Sequence, residues 1–148
     1  MSDQNGNMKT IELHENGLDI QFRILENGVV ELADFSSQEV KKAAMEPKED
    51  IYYPAVEIHR SGTGSLNMHA YKNNINQSSV DFVYEKHELK EQDGGKELEI
   101  VMVSPEKLKA IYHMRLFDGV PAVQTWTEIT NEGSEDQGLT YVSSFIYQ

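Results

Sequence analysis

The sequence contains no cysteine and little positive charge, and both features narrow what the protein can be. Without cysteine there are no disulfides, no thiol nucleophile and no thiolate metal ligands, so the fold must rest on its own core. This composition is compatible with the cytosol, and we expect a cytoplasmic protein. With 25 acidic against 13 basic residues the net charge is −12. That charge repels phosphate backbones and argues against nucleic acid as a partner.

Long hydrophobic runs and helical patterns are missing as well. No apolar stretch approaches the roughly 20 residues of a membrane-spanning helix, and the opening residues, MSDQNGNMKT, lack the apolar core of a signal peptide. We therefore expect neither membrane insertion nor secretion. A chain of 148 residues is long enough for one domain that buries about two thirds of its unfolded surface.

The first third of the chain shows strand-like alternation. Three alternating runs between Thr10 and Phe35 are separated by Asn16-Gly17 and Asn27-Gly28, the dipeptides that most strongly indicate hairpins. This pattern predicts a three-stranded meander. Residues 36–50 are polar and charged and predict a long connection, with one possible helical turn around residues 39–45.

After a short strand in YYPAVEIHR, residues 61–79 are rich in glycine, asparagine and serine and predict mostly loop. Beyond them alternation returns, with turns at residues 93–95 and Asp118-Gly119, and we expect a last strand in LTYVSSFIYQ that runs to the end of the sequence. Apolar side chains are predicted to share buried faces at Leu98, Ile100, Met102, Leu108, Ala110, Tyr112, Met114 and Leu116. No helical pattern of useful length follows residue 50. Many short strands with turns between them predict an all-β sandwich or barrel.

The residues themselves point to no active site. Among 25 carboxylates, pairs such as Glu97 and Glu99 are expected by chance, and the five histidines lack the spacing of a metal-binding motif. SGTGSLN lacks the third glycine of a dinucleotide loop and the lysine of a phosphate loop, and no Gly-x-Ser-x-Gly elbow occurs. We therefore predict no catalytic residue, no cofactor and no metal.

Trp126 is the single tryptophan of the chain. Read as a strand, the segment Asp118–Gly133 places it on the polar face with Gln124 and Glu128, while Val123 and Ile129 point the other way. A large ring on a polar face suits either a sugar-stacking platform or an interface. We predict a structural or interface role for Trp126.

From Tyr53 onward, about two thirds of the chain consists of segments that resemble a known family: YPAVEIHRSG, MHAYKNN, VDFVYEKHEL, the long segment from GKELEIV to TNEG, and LTYVSSF. Together they resemble the N-terminal domain of glycoside hydrolase family 36 α-galactosidases. In the most specific part, residues at or close to the family's positions are Tyr112, His113, Gly119, Pro121, Trp126, Glu128, Asn131, Gly133, Val142, Ser143 and Ser144.

The resemblance implies a β-supersandwich of the galactose-mutarotase-like type, with two packed, largely antiparallel sheets. In the family this domain precedes a (β/α)8 barrel that hydrolyses terminal α-galactosyl residues of melibiose- or raffinose-type oligosaccharides, with retention, through two aspartates. Neither barrel motif occurs here. Residues 1–148 are therefore expected to form one non-catalytic scaffold and interface domain of a longer enzyme, inactive alone. Its implied partners are its own downstream barrel and further copies in a homo-oligomer.

One segment departs from the family pattern at positions that concern substrate binding. Some tetrameric members place an aspartate of this domain, in a Gly-Asp-Phe-Arg segment before Pro-Ala, at a neighbouring subunit's sugar pocket. Here the segment reads EDIYYPA, with Asp50 at the aspartate and Tyr52 where the arginine would be. The resemblance makes both possible substrate-binding residues in the assembled enzyme, although a tyrosine lacks the donor fork of arginine.

Two alternatives remain open. The chain could be a stand-alone carbohydrate-binding module in which exposed aromatics such as Tyr52, Tyr53, Tyr71 or Trp126 stack on sugar rings. It could also be a mutarotase-like epimerase, which shares the fold but needs a glutamate base and histidines in one cleft. The sequence names no partner for His59, His69 or His113.

Overall fold

The computed structural model describes residues 8–38, 53–62 and 77–147. These residues form nine strands and one single-turn helix, and all strand pairs are antiparallel. The elements are β1 (Lys9–Glu15), β2 (Leu18–Ile24), β3 (Val30–Ser37), β4 (Ile58–Arg60), α1 (Gln77–Val80), β5 (Val83–Gln92), β6 (Gly95–Val103), β7 (Leu108–Phe117), β8 (Val120–Asn131) and β9 (Leu139–Val142).

The predicted meander is present as a sheet in the order β1-β2-β3. Asn16 and Gly17 both adopt positive φ, of 55° and 81°, which is the conformation a two-residue hairpin turn requires and which asparagine and glycine tolerate best. Gly28 also has a positive φ, of 86°, in the turn before β3. The two dipeptides therefore determine where this sheet turns.

A second sheet has the order β5-β6-β7-β8 and contains the longest strands. Gly95 opens β6 so close to β7 that an added Cβ would lie 1.9 Å from the backbone oxygen of Leu116. Only glycine fits there. The β7–β8 hairpin contains a register shift: Phe117 pairs with Val120, whereas Leu116 pairs with Val123.

The core lies between these two sheets. Apolar side chains from both form one buried cluster, in which Phe22 of β2 meets Tyr112 of β7 edge to face at 5.6 Å. All five apolar residues predicted to line one side of β7 are at most 1% exposed. Alternation accounts for this burial, because every second residue of a strand faces the opposite sheet. The predicted all-β sandwich is confirmed.

The remaining elements differ in detail from the sequence prediction. β4 and β9 form a separate two-stranded sheet, and β9 ends at Val142, so the expectation of a strand running to the end of the sequence was wrong. The helix α1 was not predicted, because four residues are too few to show helical periodicity. The possible helical turn at 39–45 lies outside the described residues. Within the described ranges, no helix has the length and hydrophobicity needed to cross a membrane.

Candidate functional site on the outer face of the four-stranded sheet

The outer face of the four-stranded sheet carries a cluster of charged side chains. Glu97 and Glu99 alternate along β6 with the core residues Leu98 and Ile100, so the two carboxylates face away from the sandwich interior. On β7, His113 lies between Tyr112 and Met114, which are buried in the core, and it pairs across the strands with Glu99. Strand alternation and register thus bring the three side chains together.

His113 is the centre of this cluster. Its Nδ1 lies 2.9 Å from Glu97 Oε1 and 3.7 Å from Glu99 Oε1, and its Nε2 lies 2.9 Å from Glu128 Oε2 on β8. His113 and Glu97 are buried, with 6% and 7% exposure, although they face away from the core. Burial of charged groups is costly unless they are paired, and the cluster supplies that pairing.

Trp126 forms one wall of the cluster. It is the cross-strand partner of His113, and its ring stacks on the imidazole with centroids 4.6 Å apart and planes 6° from parallel. Trp126 is half-buried, whereas Val123 and Ile129, on the other side of β8, pack against the core. One face of the indole is therefore occupied by the protein itself.

The electrostatics favour the ionised form of Glu97. Burial opposes ionisation of Glu97, but hydrogen bonds with His113 and Gln92 outweigh it and hold the pKa of the Glu97 carboxyl below its ordinary value. Glu99 is held from its other side by Lys90, with 2.9 Å between Lys90 Nζ and Glu99 Oε2. A histidine with carboxylates on both ring nitrogens can hold a proton, orient a neutral imidazole or coordinate a cation.

A cavity of about 410 Å³ opens beside this cluster on the same sheet. Its lining includes Glu99 and Lys90 from the cluster and Glu88, Lys86, Lys109 and Ile111 around them. Small solutes can therefore approach the cluster from the Glu99 side.

The predicted substrate-binding residues Asp50 and Tyr52 lie outside the described residues. The next residue, Tyr53, is described: its backbone N–H donates to Glu31 Oε1 at 2.9 Å. Glu31 also accepts from Arg23 Nε at 2.8 Å in an ion pair whose side chains are 3% and 7% exposed. The described start of this segment is thus anchored on β3.

Of the other histidines named from the sequence, His59 does not join the His113 cluster. His59 lies on β4, in the two-stranded sheet, where its Nε2 is 2.6 Å from Glu57 Oε1 and its ring packs against Tyr141 at 5.1 Å. His69 lies outside the described residues. His59 and His113 belong to different sheets, each with its own carboxylate partners.

Sequence reasoning missed the cluster because it judged Glu97 and Glu99 a chance pair and found no partner for His113. The available signal was alternation: Glu99 and His113 fall between residues predicted to be buried, and Glu97 is two residues before Glu99 on the same face of the strand. That signal places them on one face, but it gives no distance between strands.

Comparison with known proteins supports the fold. No protein-family model and no curated protein sequence matches the chain. Eight chains of solved structures do match. One is a doubly substituted family 36 α-galactosidase, AgaA from Geobacillus stearothermophilus, solved in complex with raffinose, with a TM-score of 0.54 and 12% sequence identity. The alignment covers 84% of this chain and 22% of AgaA, so the chain spans about a fifth of that enzyme's length. The chain shares the fold of that part of the α-galactosidase.

Proposed function

We propose that this chain is the non-catalytic N-terminal domain of a family 36 α-galactosidase, where it supports the catalytic barrel that follows it. The parent enzyme would hydrolyse terminal α-galactosyl residues of oligosaccharides such as melibiose and raffinose. The fold likeness to AgaA, an α-galactosidase of which the chain matches about a fifth, supports this proposal.

The geometry of the family-like residues is the observation that carries the proposal beyond fold. Residues at or close to the family's positions form one cluster: the Trp126 ring stacks on His113, and Glu128 Oε2 lies 2.9 Å from His113 Nε2. Asn131 accepts from the backbone N–H of Gly133, where an added Cβ would lie 2.5 Å from Glu106 O. Residues of the resemblance thus build both this cluster and the turn after β8, which supports the proposal.

Trp126 marks the surface through which we expect the domain to contact the barrel or another copy. It is a large, half-buried ring on the edge strand of the sheet, on the face turned away from the core. Amphipathic aromatic rings anchor interfaces, because they bury much apolar area while their N–H reaches a polar partner.

Asp50 and Tyr52 belong to the proposal as residues that contact substrate in a homo-oligomer. The anchoring of Tyr53 by Glu31 fixes the described end of their segment. We also place the parent enzyme in the cytoplasm, with which the absence of cysteine agrees.

The reading frame beyond Gln148 tests this proposal. It should continue into a (β/α)8 barrel of several hundred residues that carries two catalytic aspartates. A stop codon directly after Gln148 would contradict it.

The stand-alone carbohydrate-binding module is the second candidate, because a half-exposed tryptophan beside polar groups is a plausible sugar platform. Calorimetric titration of the isolated chain with galactose, melibiose and raffinose separates the two. The scaffold proposal expects no heat of binding. Saturable binding that disappears in a folded Trp126→Ala variant would favour the module.

A further inference from the structure

The His113 cluster has the arrangement of a metal site. Glu97, Glu99 and His113 each offer one ligand atom, and the three atoms lie within 4.8 Å of one another. Ligand atoms around one tetrahedral Zn²⁺ lie roughly 3.5 Å apart, given bonds of about 2.0–2.2 Å. Small rotations of the two glutamate side chains would close the remaining gap.

The second oxygen of each glutamate and the second ring nitrogen of His113 also have partners. Glu97 Oε2 accepts from Gln92 Nε2 at 2.9 Å, and Glu99 Oε2 is 2.9 Å from Lys90 Nζ. The far ring nitrogen of His113 lies 2.9 Å from Glu128. Metal-binding histidines almost always donate their second N–H to a carboxylate or carbonyl, which fixes the tautomer that leaves the other nitrogen free for the ion.

The net charge of the cluster also favours binding of a cation. The carboxylates of Glu97, Glu99 and Glu128 bring three negative charges, and Lys90 returns one positive charge. A divalent ion bound to a neutral imidazole would neutralise the remainder next to Glu97 and His113, which are buried and beside which uncompensated charge is costly. One of the three ligands, Glu99, also lines the neighbouring cavity.

We propose that Glu97, Glu99 and His113 form a binding site for one divalent transition-metal ion, with Glu128, Gln92 and Lys90 as the outer partners that orient the ligands. One nitrogen and two carboxylate oxygens suit Zn²⁺ or Mn²⁺, whereas Mg²⁺ prefers an all-oxygen shell that retains water. The site is independent of the galactosidase proposal, because it requires only residues of this chain.

The test is calorimetric titration of the metal-stripped chain with Zn²⁺. We expect one equivalent to bind to the unmodified protein, binding to be lost in His113→Gln, and affinity to fall about 10–100-fold in Glu128→Gln, as for outer-shell substitutions in other metal sites. Because Glu99 is only half-buried, the Glu99→Gln variant should remain folded but lose tight Zn²⁺ binding. Glu91→Gln is the matched control, because Glu91 is 82% exposed and lies outside the cluster.

Three further observations complete the test. Circular dichroism confirms that each variant is folded, Mg²⁺ should give no comparable heat, and imidazole ¹⁵N spectra should show Zn²⁺ on Nδ1 of His113. The proposal is overturned if the unmodified chain binds no Zn²⁺, or if folded His113→Gln and Glu99→Gln variants bind it as tightly as the unmodified chain.

Discussion

Each of the two large sheets buries one hydrogen-bonded pair of polar side chains on the face turned away from the core, but the two pairs are enclosed differently. Arg23 and Glu31, cross-strand partners on β2 and β3, are covered by the chain's own segment, in which Tyr53 N–H donates to Glu31 and Pro54 bridges to it. His113 and Glu97 are flanked by Trp126, by a 58% exposed Glu128 and by Glu99, which lines a cavity. The comparison teaches that one buried pair is covered by a further segment of the chain, whereas the other lies among side chains that we propose as metal ligands.

The largest effect should come from the enclosed pair. Glu31→Ala removes the carboxylate that bonds to both the buried Arg23 guanidinium and the Tyr53 N–H, so we expect a loss of about 3–5 kcal/mol in the free energy of unfolding. Urea denaturation measures it. Glu12→Ala is the control, since the Glu12 side chain is 50% exposed, and it should change stability by less than about 0.5 kcal/mol. Equal effects would show that the Arg23–Glu31 pair is not structural.

The stability of the sheet that carries His113 and Glu97 should respond to added Zn²⁺ instead. With free Zn²⁺ at about 100 times its dissociation constant, the unmodified chain should gain about 2.7 kcal/mol in stability, and a chelator should reverse the gain. Glu31→Ala should show the same increment on its lower baseline, provided that it remains folded, because its pair is not part of the metal site. If Zn²⁺ stabilised the unmodified chain but not a folded Glu31→Ala variant, the Arg23–Glu31 pair could not be independent of the metal site.

Trp126→Ala should cost less than loss of the enclosed pair. The ring is half-buried and stacks on His113, so we expect a loss of about 1–2 kcal/mol in the isolated chain. In the full-length enzyme that we propose, the same change should impair assembly, measured by size-exclusion chromatography with light scattering. Any sugar affinity of the isolated chain should be unchanged. A selective loss of sugar binding in the folded variant would contradict the interface role.

The smallest effect concerns an exposed histidine, His14, which sharpens the contrast with buried His113. The hydrogen bond to Asp19, at 2.7 Å, raises the pKa of His14 above its ordinary value of 6.5. The stabilisation is therefore fully present below the unfolded-state pKa and is lost as pH rises through the folded-state pKa. A proton NMR titration should show a raised His14 pKa that returns toward 6.5 in Asp19→Asn. An unchanged value would exclude Asp19 as the cause.

Strand identity and core-facing residues were predictable because alternation and turn dipeptides are local signals. Which side chains of neighbouring strands lie beside each other was not predictable. The tight turn Asp118-Gly119 alone would pair His113 with Gln124, but the shift between Leu116 and Phe117 moves the partner two residues along, to Trp126. The stack that forms the wall of the site therefore depends on a bulge, and bulges leave no reliable mark in one sequence.

The burial of Glu31 is a second feature that could not be predicted from local sequence. Its alternation is that of an exposed strand residue, yet it is 2% exposed because a segment more than 20 residues later in the chain covers it. Neither the cover nor its register follows from local pattern, since both depend on contacts between distant parts of the chain.

Hydrolysis of p-nitrophenyl α-galactoside, compared between the isolated chain and the protein extended through the downstream barrel that we propose, tests the central claim most directly. We expect no turnover by the isolated chain and clear turnover by the extended protein. Turnover by the isolated chain, or an extended protein that folds but hydrolyses no α-galactoside, would contradict the account.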